Sequence, residues 1–260
     1  MEKFNIAVLG SGSKGNAFVV GCGGLNLLID AGFTRRELLR RLELCAIEPT
    51  TIHAVLITHE HDDHIKGARV FCDELNIPLC IAPRTADYLR CRGKLPAKLK
   101  LFSPGDDFLL CGFSICGFPV HHDAVEPVGF VISGNGRRIG IATDLGCVSR
   151  AAAEKLNDCD ALLIESNYDL AMLRDSARPF ELKRRIMGQV GHLNNLDTVN
   201  ALPELLGERT RHLVFTHVSR ECNRYDIVEK LGRGALHELG RDDILFDVAR
   251  QDDPLPTFYV

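Results

Sequence analysis

Short apolar runs alternate along the chain with stretches in which apolar residues return every three or four positions. These two periods separate buried strands from amphipathic helices. Residues 4–9, 17–20, 25–29 and 54–57 read as strands, and Gly21-Cys22-Gly23-Gly24 between the second and third reads as a hairpin turn. Thr34 then caps a helix, with Glu37 at capping-box spacing and Leu38, Leu39 and Leu42 as its apolar stripe; Arg35, Arg36, Arg40 and Arg41 are expected mostly outward, in water. A helix is predicted from the polar stretch after residue 61 to about Leu75, and a short strand over 79–81. Hairpins follow over 108–118 and 128–142, the second turning at Gly134-Asn135-Gly136, and Ser149 caps a helix over 151–156. Strands over 161–164 and 212–215 flank a helical region, and a helix near 227–239 precedes a strand near 244–248. No internal repeat, low-complexity tract or linker is visible. The alternation predicts an α/β protein, a single domain over residues 1–260. Its β-rich halves, 4–81 and 108–248, form two sheets of one sandwich with helices outside.

Where the strands end, the residues change character. The run 54–57 leads into Thr58-His59-Glu60-His61-Asp62-Asp63-His64, three histidines and a carboxylate at H-x-H-x-D-H spacing. Neutral imidazole and carboxylate together suit Zn²⁺, Mn²⁺ or Fe²⁺. His59 and His61, two apart on an extended strand end, lie on one side. A helix beginning after His61 carries Asp63 and His64 to a neighbouring point, so the pattern suggests two adjacent metals. Histidines have no capping role that would explain them there. Other groups able to bind metal recur at strand ends: Asp30, His121/His122, Asp144, Glu165 and His217. Layered α/β folds gather their sites at one end of the strands. Asp144 is attractive as a carboxylate bridging two ions about 3.5–4 Å apart, which can share a hydroxide that is nucleophilic at neutral pH.

Composition narrows the class. The chain has 260 residues, 45% of them hydrophobic and 25% charged, which is ordinary for a soluble globular protein. No apolar run approaches the roughly 20 residues that span a bilayer, and the first residues lack a signal-peptide layout. The ten cysteines have no C-x-x-C pairing and sit mostly among apolar neighbours, so they are read as reduced core thiols of a cytoplasmic protein. A net charge of −4 gives no bulk attraction to nucleic acid, so any such contact must use local basic patches.

The ordered set Asp30, His59-x-His61-x-Asp63-His64, His122, Asp144 and His217 resembles the five motifs of the metallo-β-lactamase superfamily, over essentially the whole chain. That resemblance implies a four-layer αβ/βα sandwich with a two-metal site at its edge. One ion would take His59, His61, His122 and Asp144; the other would take Asp63, His64, Asp144 and His217. Asp30 would orient the ligands instead of binding. His121 is the rival for the third motif; Pro119-Val120-His121-His122-Asp123-Ala124 favours His122 by likeness to one subgroup. That subgroup is the YycJ/WalJ-type metal-dependent exonuclease family. The matching segments are Leu9-Gly10-Ser11-Gly12-Ser13-x-Gly15-Asn16, Leu28-Ile29-Asp30-Ala31-Gly32, Glu165-Ser166-Asn167-Tyr168-Asp169, Gly191-His192-Leu193-Asn194-Asn195 and His217-Val218-Ser219-Arg220-Glu221-Cys222-Asn223. The last departs from the subgroup, which more often has two Asn where Cys222-Asn223 stands.

The subgroup implies 5′→3′ hydrolysis of DNA, with a role in repair. Asp63 would help place the nucleophile, His192 would protonate the leaving oxygen or hold the phosphate, and Glu165 would orient His192. Ser11, Ser13 and Asn16 in the first loop, with Ser219 and Asn223, are the candidate substrate contacts. Lys183, Arg184, Arg185, Arg220 and Arg224 are either phosphate contacts or ordinary surface. The 73 positions between Asp144 and His217 (217 − 144) leave no room for the inserted helical domain of the ribonuclease J group. The same two-metal site would equally serve a small ester, thioester, lactone or cyclic phosphodiester, and a catalytically idle metal-binding protein would use it too.

Overall fold

In a computed structural model describing residues 3–260, two seven-stranded sheets lie face to face. The first runs β14 (Phe258–Tyr259), β1 (Phe4–Gly10), β2 (Ala17–Cys22), β3 (Leu25–Ile29), β4 (Ile52–Leu56), β5 (Leu79–Ile81), β6 (Leu99–Leu101). The second runs β13 (Leu245–Val248), β12 (His212–Thr216), β11 (Ala161–Glu165), β10 (Arg137–Ala142), β9 (Val128–Gly134), β8 (Phe113–Pro119), β7 (Asp107–Leu110). Alternation on β1 builds two cores at once. Phe4, Ile6 and Val8 point between the sheets, where they meet Phe18, Phe130, Ile132, Leu163 and Val214. Ala7 and Leu9 point outward, into a layer with Leu38 and Leu42 of α1 (Arg35–Leu44), Phe71 of α3 (Ala68–Leu75) and Leu89 of α4 (Pro83–Arg90). The second sheet is covered likewise by Leu156 of α5 (Arg150–Leu156), Leu202 of α8 (Asn195–Leu205) and Leu236 of α9 (Tyr225–Glu238). The result is the expected four layers, the metallo-β-lactamase fold. Three further helices, α2 (Asp62–Ile65), α6 (Leu170–Asp175) and α7 (Phe180–Ile186), lie in the segments that follow β4 and β11.

The two sheets share one wiring. In each, three antiparallel pairings are followed by three parallel ones, counted from β14 in the first and from β7 in the second. The letters of the two halves show no repeat; the strand topology does. Matching positions then carry matching chemistry: Asp30 follows β3, and Asp144 stands just beyond β10. Both have left-handed backbone, at φ 58° and 51°.

Several elements differ from the sequence reading. The helix expected from the histidine cluster to Leu75 breaks at Lys66-Gly67 into α2 and α3, and α4, β6 and β14 have no counterpart among the expected elements. β14 pairs antiparallel with β1, so the first sheet takes its edge from a segment distant in sequence. Thr34 caps α1 by accepting from the Glu37 amide at 3.3 Å, but the Glu37 carboxylate is taken by Arg40 and Arg41 instead of closing the box. Six cysteines are buried, and burial pushes the thiols of Cys72, Cys80 and Cys159 up to about 12; Cys91 is exposed.

Arg41 is the main correction. It is not in water but 4% exposed, stacked over Phe33 and donating to the carbonyls of Leu9 (2.6 Å), Gln251 (3.1 Å) and Asp252 (3.1 Å). It ties the end of β1 to the chain after β13. Removing it leaves three carbonyls without a donor in a site too tight for easy rehydration. Arg41→Met should therefore cost about 2–4 kcal/mol, read as a lowered midpoint in urea unfolding; a shift below about 0.5 kcal/mol would show that those carbonyls find other donors.

Candidate metal centre

The segments that follow β3, β4, β8, β10 and β12 deliver their polar residues to one place. Asp30, beyond β3, is fully buried and collects donors: the Thr58 amide (2.9 Å), the Thr58 hydroxyl (2.8 Å) and His64 Nδ1 (2.7 Å). This contact sets the orientation of the His64 ring, with Nδ1 on Asp30 and Nε2 facing Asp144 and, at 3.7 Å, Asp63. His122 is held the same way, Nδ1 lying 3.0 Å from the Gly191 carbonyl. Gly191 must be glycine, since a Cβ there would meet the Ile186 carbonyl oxygen at 2.2 Å. Gly32 carries the same constraint: its missing Cβ would lie 1.6 Å from the Asp63 carbonyl oxygen, in the seam where the Asn16 amide donates to that oxygen at 2.8 Å.

Three overlapping groups result. His59, His61 and His122 form the first; Asp63, His64, Asp144 and His217 form the second; Asp144, Glu165, His192 and His217 form the third. Within the first, ring nitrogens face one another: His59 Nε2 to His61 Nδ1 is 3.0 Å and His61 Nδ1 to His122 Nε2 is 3.3 Å. Asp144 links the first two, its Oδ2 being 3.8 Å from His59 Nε2 and its Oδ1 2.8 Å from His217 Nδ1. Although these nitrogens are near, neither Asp144 oxygen has a hydrogen bond of acceptable geometry, and neither does His217 Nε2; all three atoms are buried. Buried carboxylate oxygens and imidazole lone pairs left without donors, converging from several strands, are the donor set of a transition-metal site. The residues fit such ions.

The model for the beta-lactamase superfamily domain matches residues 25–218. The chain belongs to the metallo-β-lactamase superfamily. Exodeoxyribonuclease YycJ of Bacillus anthracis is 31% identical over 256 residues, covering 97% of each chain. Exodeoxyribonuclease WalJ of Streptococcus pneumoniae is 33% identical over 224 residues, 85% of this chain and 83% of the relative. Among solved structures, the metallo-β-lactamase fold protein YhfI of Bacillus subtilis superposes with TM-score 0.75 at 15% identity, over 100% of both chains. The protein is thus a hydrolase of metallo-β-lactamase fold carrying His/Asp clusters that are candidates for metal binding. No helix among the described residues is long and apolar enough to cross a membrane.

The electrostatics of this superfamily site are those of groups awaiting a cation. Burial and the neighbouring His64 hold His59 well below the ordinary imidazole value, and burial lowers His122, so both are neutral donors. Burial also opposes charge on His64 and His217, but carboxylates outweigh it and raise both: Asp30, Asp144 and Asp63 around His64, and Asp144, Asp63 and Glu165 around His217. Asp144 is driven well below the carboxylate range by His217 and His64 despite its burial. Beside this lies a dyad. Glu165, fully buried, places Oε1 2.8 Å from both His192 Nδ1 and His217 Nδ1, while Oε2 accepts from the Leu145 and Leu193 amides. Burial works against a charge on His192, yet Glu165 and Asp144 raise it to about 9.

A cavity of about 280 Å³ opens over these groups, lined by His61, Asp63, His122, Asp144, His192 and His217 and, further out, by Ser13, Asn167, Arg178, Arg185 and Ser219. Of the two candidates for the third motif, His122 joins the cluster, while His121 is exposed. Ser13 and Ser219 line the cavity. Ser11, Asn16 and Asn223 do not, and each is buried with its polar groups engaged. Ser11 Oγ donates to Asn16 Oδ1 (2.8 Å) and accepts from the His217 amide (2.9 Å). Asn16 Nδ2 reaches His64 Nε2 (3.0 Å), and Asn223 bonds Asn195 and the Asn167 carbonyl. Their loops lie where the sequence puts them, but the side chains point the other way, because one sequence cannot tell a side chain facing the cavity from one facing its wall. Thr58 and Asn167, which holds the His217 carbonyl at 2.7 Å, belong to the sequence motifs but carry no role there. Among the basic candidates only Arg185 reaches the cavity, paired with Asp123 at 2.7 Å; Arg184, Arg220 and Arg224 pair with surface carboxylates, and Lys183 donates to the Arg174 carbonyl.

Two measurements check this geometry. After reconstitution, elemental analysis should approach two transition-metal ions per chain, and Asp144→Ala should lower that number; one ion per chain, unchanged by His217→Ala, rejects two clusters. Second, His217 holds left-handed backbone at φ 54°, which costs a residue bearing Cβ on the order of 1 kcal/mol. In the metal-free protein, His217→Gly should be more stable than His217→Ala by about that amount in urea, and equal stability would place the strain elsewhere.

Proposed function

We propose that this protein is a metal-dependent phosphodiester hydrolase that degrades DNA from the 5′ end. The observation that carries the reading is the Glu165–His192 dyad, an imidazole at the wall of the cavity beside both His/Asp clusters; the names of YycJ and WalJ, matched over most of the chain, support the choice of DNA. His59, His61 and His122 would hold one divalent ion (Zn, Mn or Fe) and Asp63, His64 and His217 a second, with Asp144 shared. Bound there, the ions supply a water activated at neutral pH and positive charge for the phosphoryl oxygens.

The chain's own residues do the rest. Asp30 and the Gly191 carbonyl keep His64 and His122 in the tautomer that presents a lone pair. Ser11 and Asn16 hold the loop against His217 and His64, a positioning role. His192 keeps Nδ1 on Glu165, and its Nε2 has no hydrogen bond among the described residues, so it is free to give a proton to the leaving deoxyribose oxygen. Ser13 and Ser219 offer hydroxyls to the non-bridging oxygens, and Asp63 orients the attacking water. A role in DNA repair follows from the same reading.

The test is metal-loaded protein with 5′- and 3′-labelled single- and double-stranded DNA and RNA. Release of mononucleotides from the 5′ label, with DNA ahead of RNA, is expected. His192→Ala should lower kcat about 10²- to 10⁴-fold with little change in KM, because its proton moves only in the transition state. Efficient cleavage of a small ester or lactone, with no nucleic acid processed under Mn²⁺, Zn²⁺ or Fe²⁺, would overturn the assignment.

A further inference from the structure

A second cleft, of about 370 Å³, begins at Asp62, inside the metal-binding motif. It is lined by Asp62, Ile65, Lys66, Arg69, Val70 and Lys94. His61 and Asp63, on either side of Asp62, line the catalytic cavity. α2 and α3 run nearly end to end, and Asp62, Lys66 and Arg69 recur at the four- and three-residue steps that align side chains on one helical face.

The charges in the cleft do not balance. Three cations face one carboxylate, and that carboxylate is tied to Lys94 at 2.6 Å. The side chains of Lys66 and Arg69 are exposed and have no ion pair, hydrogen bond or ring contact among the described residues. In a chain with 35 acidic residues against 31 basic ones, two adjacent cations without partners are a local exception. The opposite rim of the catalytic cavity is neutralised, Arg178 being paired with Glu221 (2.9 Å) and Arg185 with Asp123 (2.7 Å). Ile65 and the 41% exposed Val70 add an apolar strip beside the cations. A polyanion with one group at the metal clusters therefore meets cations without ion-pair partners on the α2–α3 side, while the two arginines lining the catalytic cavity are already paired. Phosphodiester groups spaced along a strand, with apolar sugar faces between them, match this row.

We propose that the Lys66–Arg69–Lys94 cleft is a subsite for the sugar-phosphate backbone of the strand being degraded, carrying it away from the catalytic cavity along α2 and α3. The assignment rests on the nuclease reading above.

The test separates the two. Metal-loaded protein is titrated with a fluorescent, phosphorothioate-linked single strand, which binds without being consumed, over a range of salt concentrations. Wild type is assayed in parallel on bis(p-nitrophenyl) phosphate, a diester too small to reach the cleft. Lys66→Gln/Arg69→Gln should weaken strand binding at least tenfold and shallow the log–log salt slope by about 1.4, some 0.7 for each single-strand phosphate that is no longer neutralised. Lys66→Arg/Arg69→Lys, which keeps the charge, should restore both. Arg150→Gln/Lys155→Gln, the same charge change on α5, should alter neither. Equal affinity and slope in wild type and the Lys66/Arg69 variant overturn the subsite, and so does an equal weakening in the α5 control, which would make the effect one of net charge. A wild type that cleaves the small diester but binds no strand overturns the subsite and the choice of DNA together, while phosphodiester hydrolysis stands. A wild type that does neither overturns both readings.

Discussion

Seven imidazoles and carboxylates converge in space from which water is largely excluded, and their lone pairs face one another. That arrangement is unfavourable unless each group is held by something behind it, and much of the rest of the chain supplies the backing. Asp30 grips Thr58 and His64, Glu165 grips His192 and His217, the Gly191 carbonyl holds His122, and Asn167 holds the His217 turn. Behind them stand central strands that are apolar on both faces, as strands sandwiched between a second sheet and a helical layer must be. Among the inner groups His59 is held neutral, and Asp144 is attracted to His64 and His217; Asp30 and Glu165 behind them are hydrogen-bonded to the scaffold. Among the described residues the six buried side-chain atoms without a hydrogen bond all lie on the motif segments: both Asp144 oxygens and His217 Nε2, with Glu60 Oε2, Thr143 Oγ1 and Thr216 Oγ1 beside them.

The common wiring of the two sheets explains how so compact a set arises. Each half ends its third strand or its counterpart in a left-handed aspartate, and the two aspartates have diverged in use. Asp30 accepts three hydrogen bonds and faces inward to the protein. Asp144 accepts none of good geometry and faces the clusters. One backbone device, a strand that stops and turns through positive φ, presents a carboxylate either to the scaffold or to the site.

The features legible in the sequence are those written in local patterns: strands by their apolar runs, the metal motif by its spacing, and the remaining site residues by their place at strand ends. Long-range relations are not legible. Arg41 reads as one more outward arginine on α1, and nothing near it in sequence announces that Leu9, Gln251 and Asp252 bring it three carbonyls. Ser11, Asn16 and Asn223 read as polar loop residues aimed at a ligand, and they are engaged in the wall behind it instead. α2 and α3 read as one helix because the break at Lys66-Gly67 depends on Gly67 packing against the Phe33 carbonyl, where a Cβ would come within 2.3 Å. The pseudo-repeat is hidden because sheet topology constrains which positions are apolar and leaves the identity of those residues free.

The pairing of β1 with β14 sets an order of events in the cell. Asn5 faces Tyr259 and Ile6 faces Phe258 across the sheet, so β1 leaves the ribosome long before its partner exists. Until then β1 presents an open backbone edge beside the fully buried pattern of Ile6 and Val8, the kind of edge on which another chain can template. Long-range pairing of this kind is also slow, because the loop it closes takes in every other strand of both sheets. Synthesis therefore leaves a window in which that edge is unpaired, and the first sheet is complete only when β14 arrives.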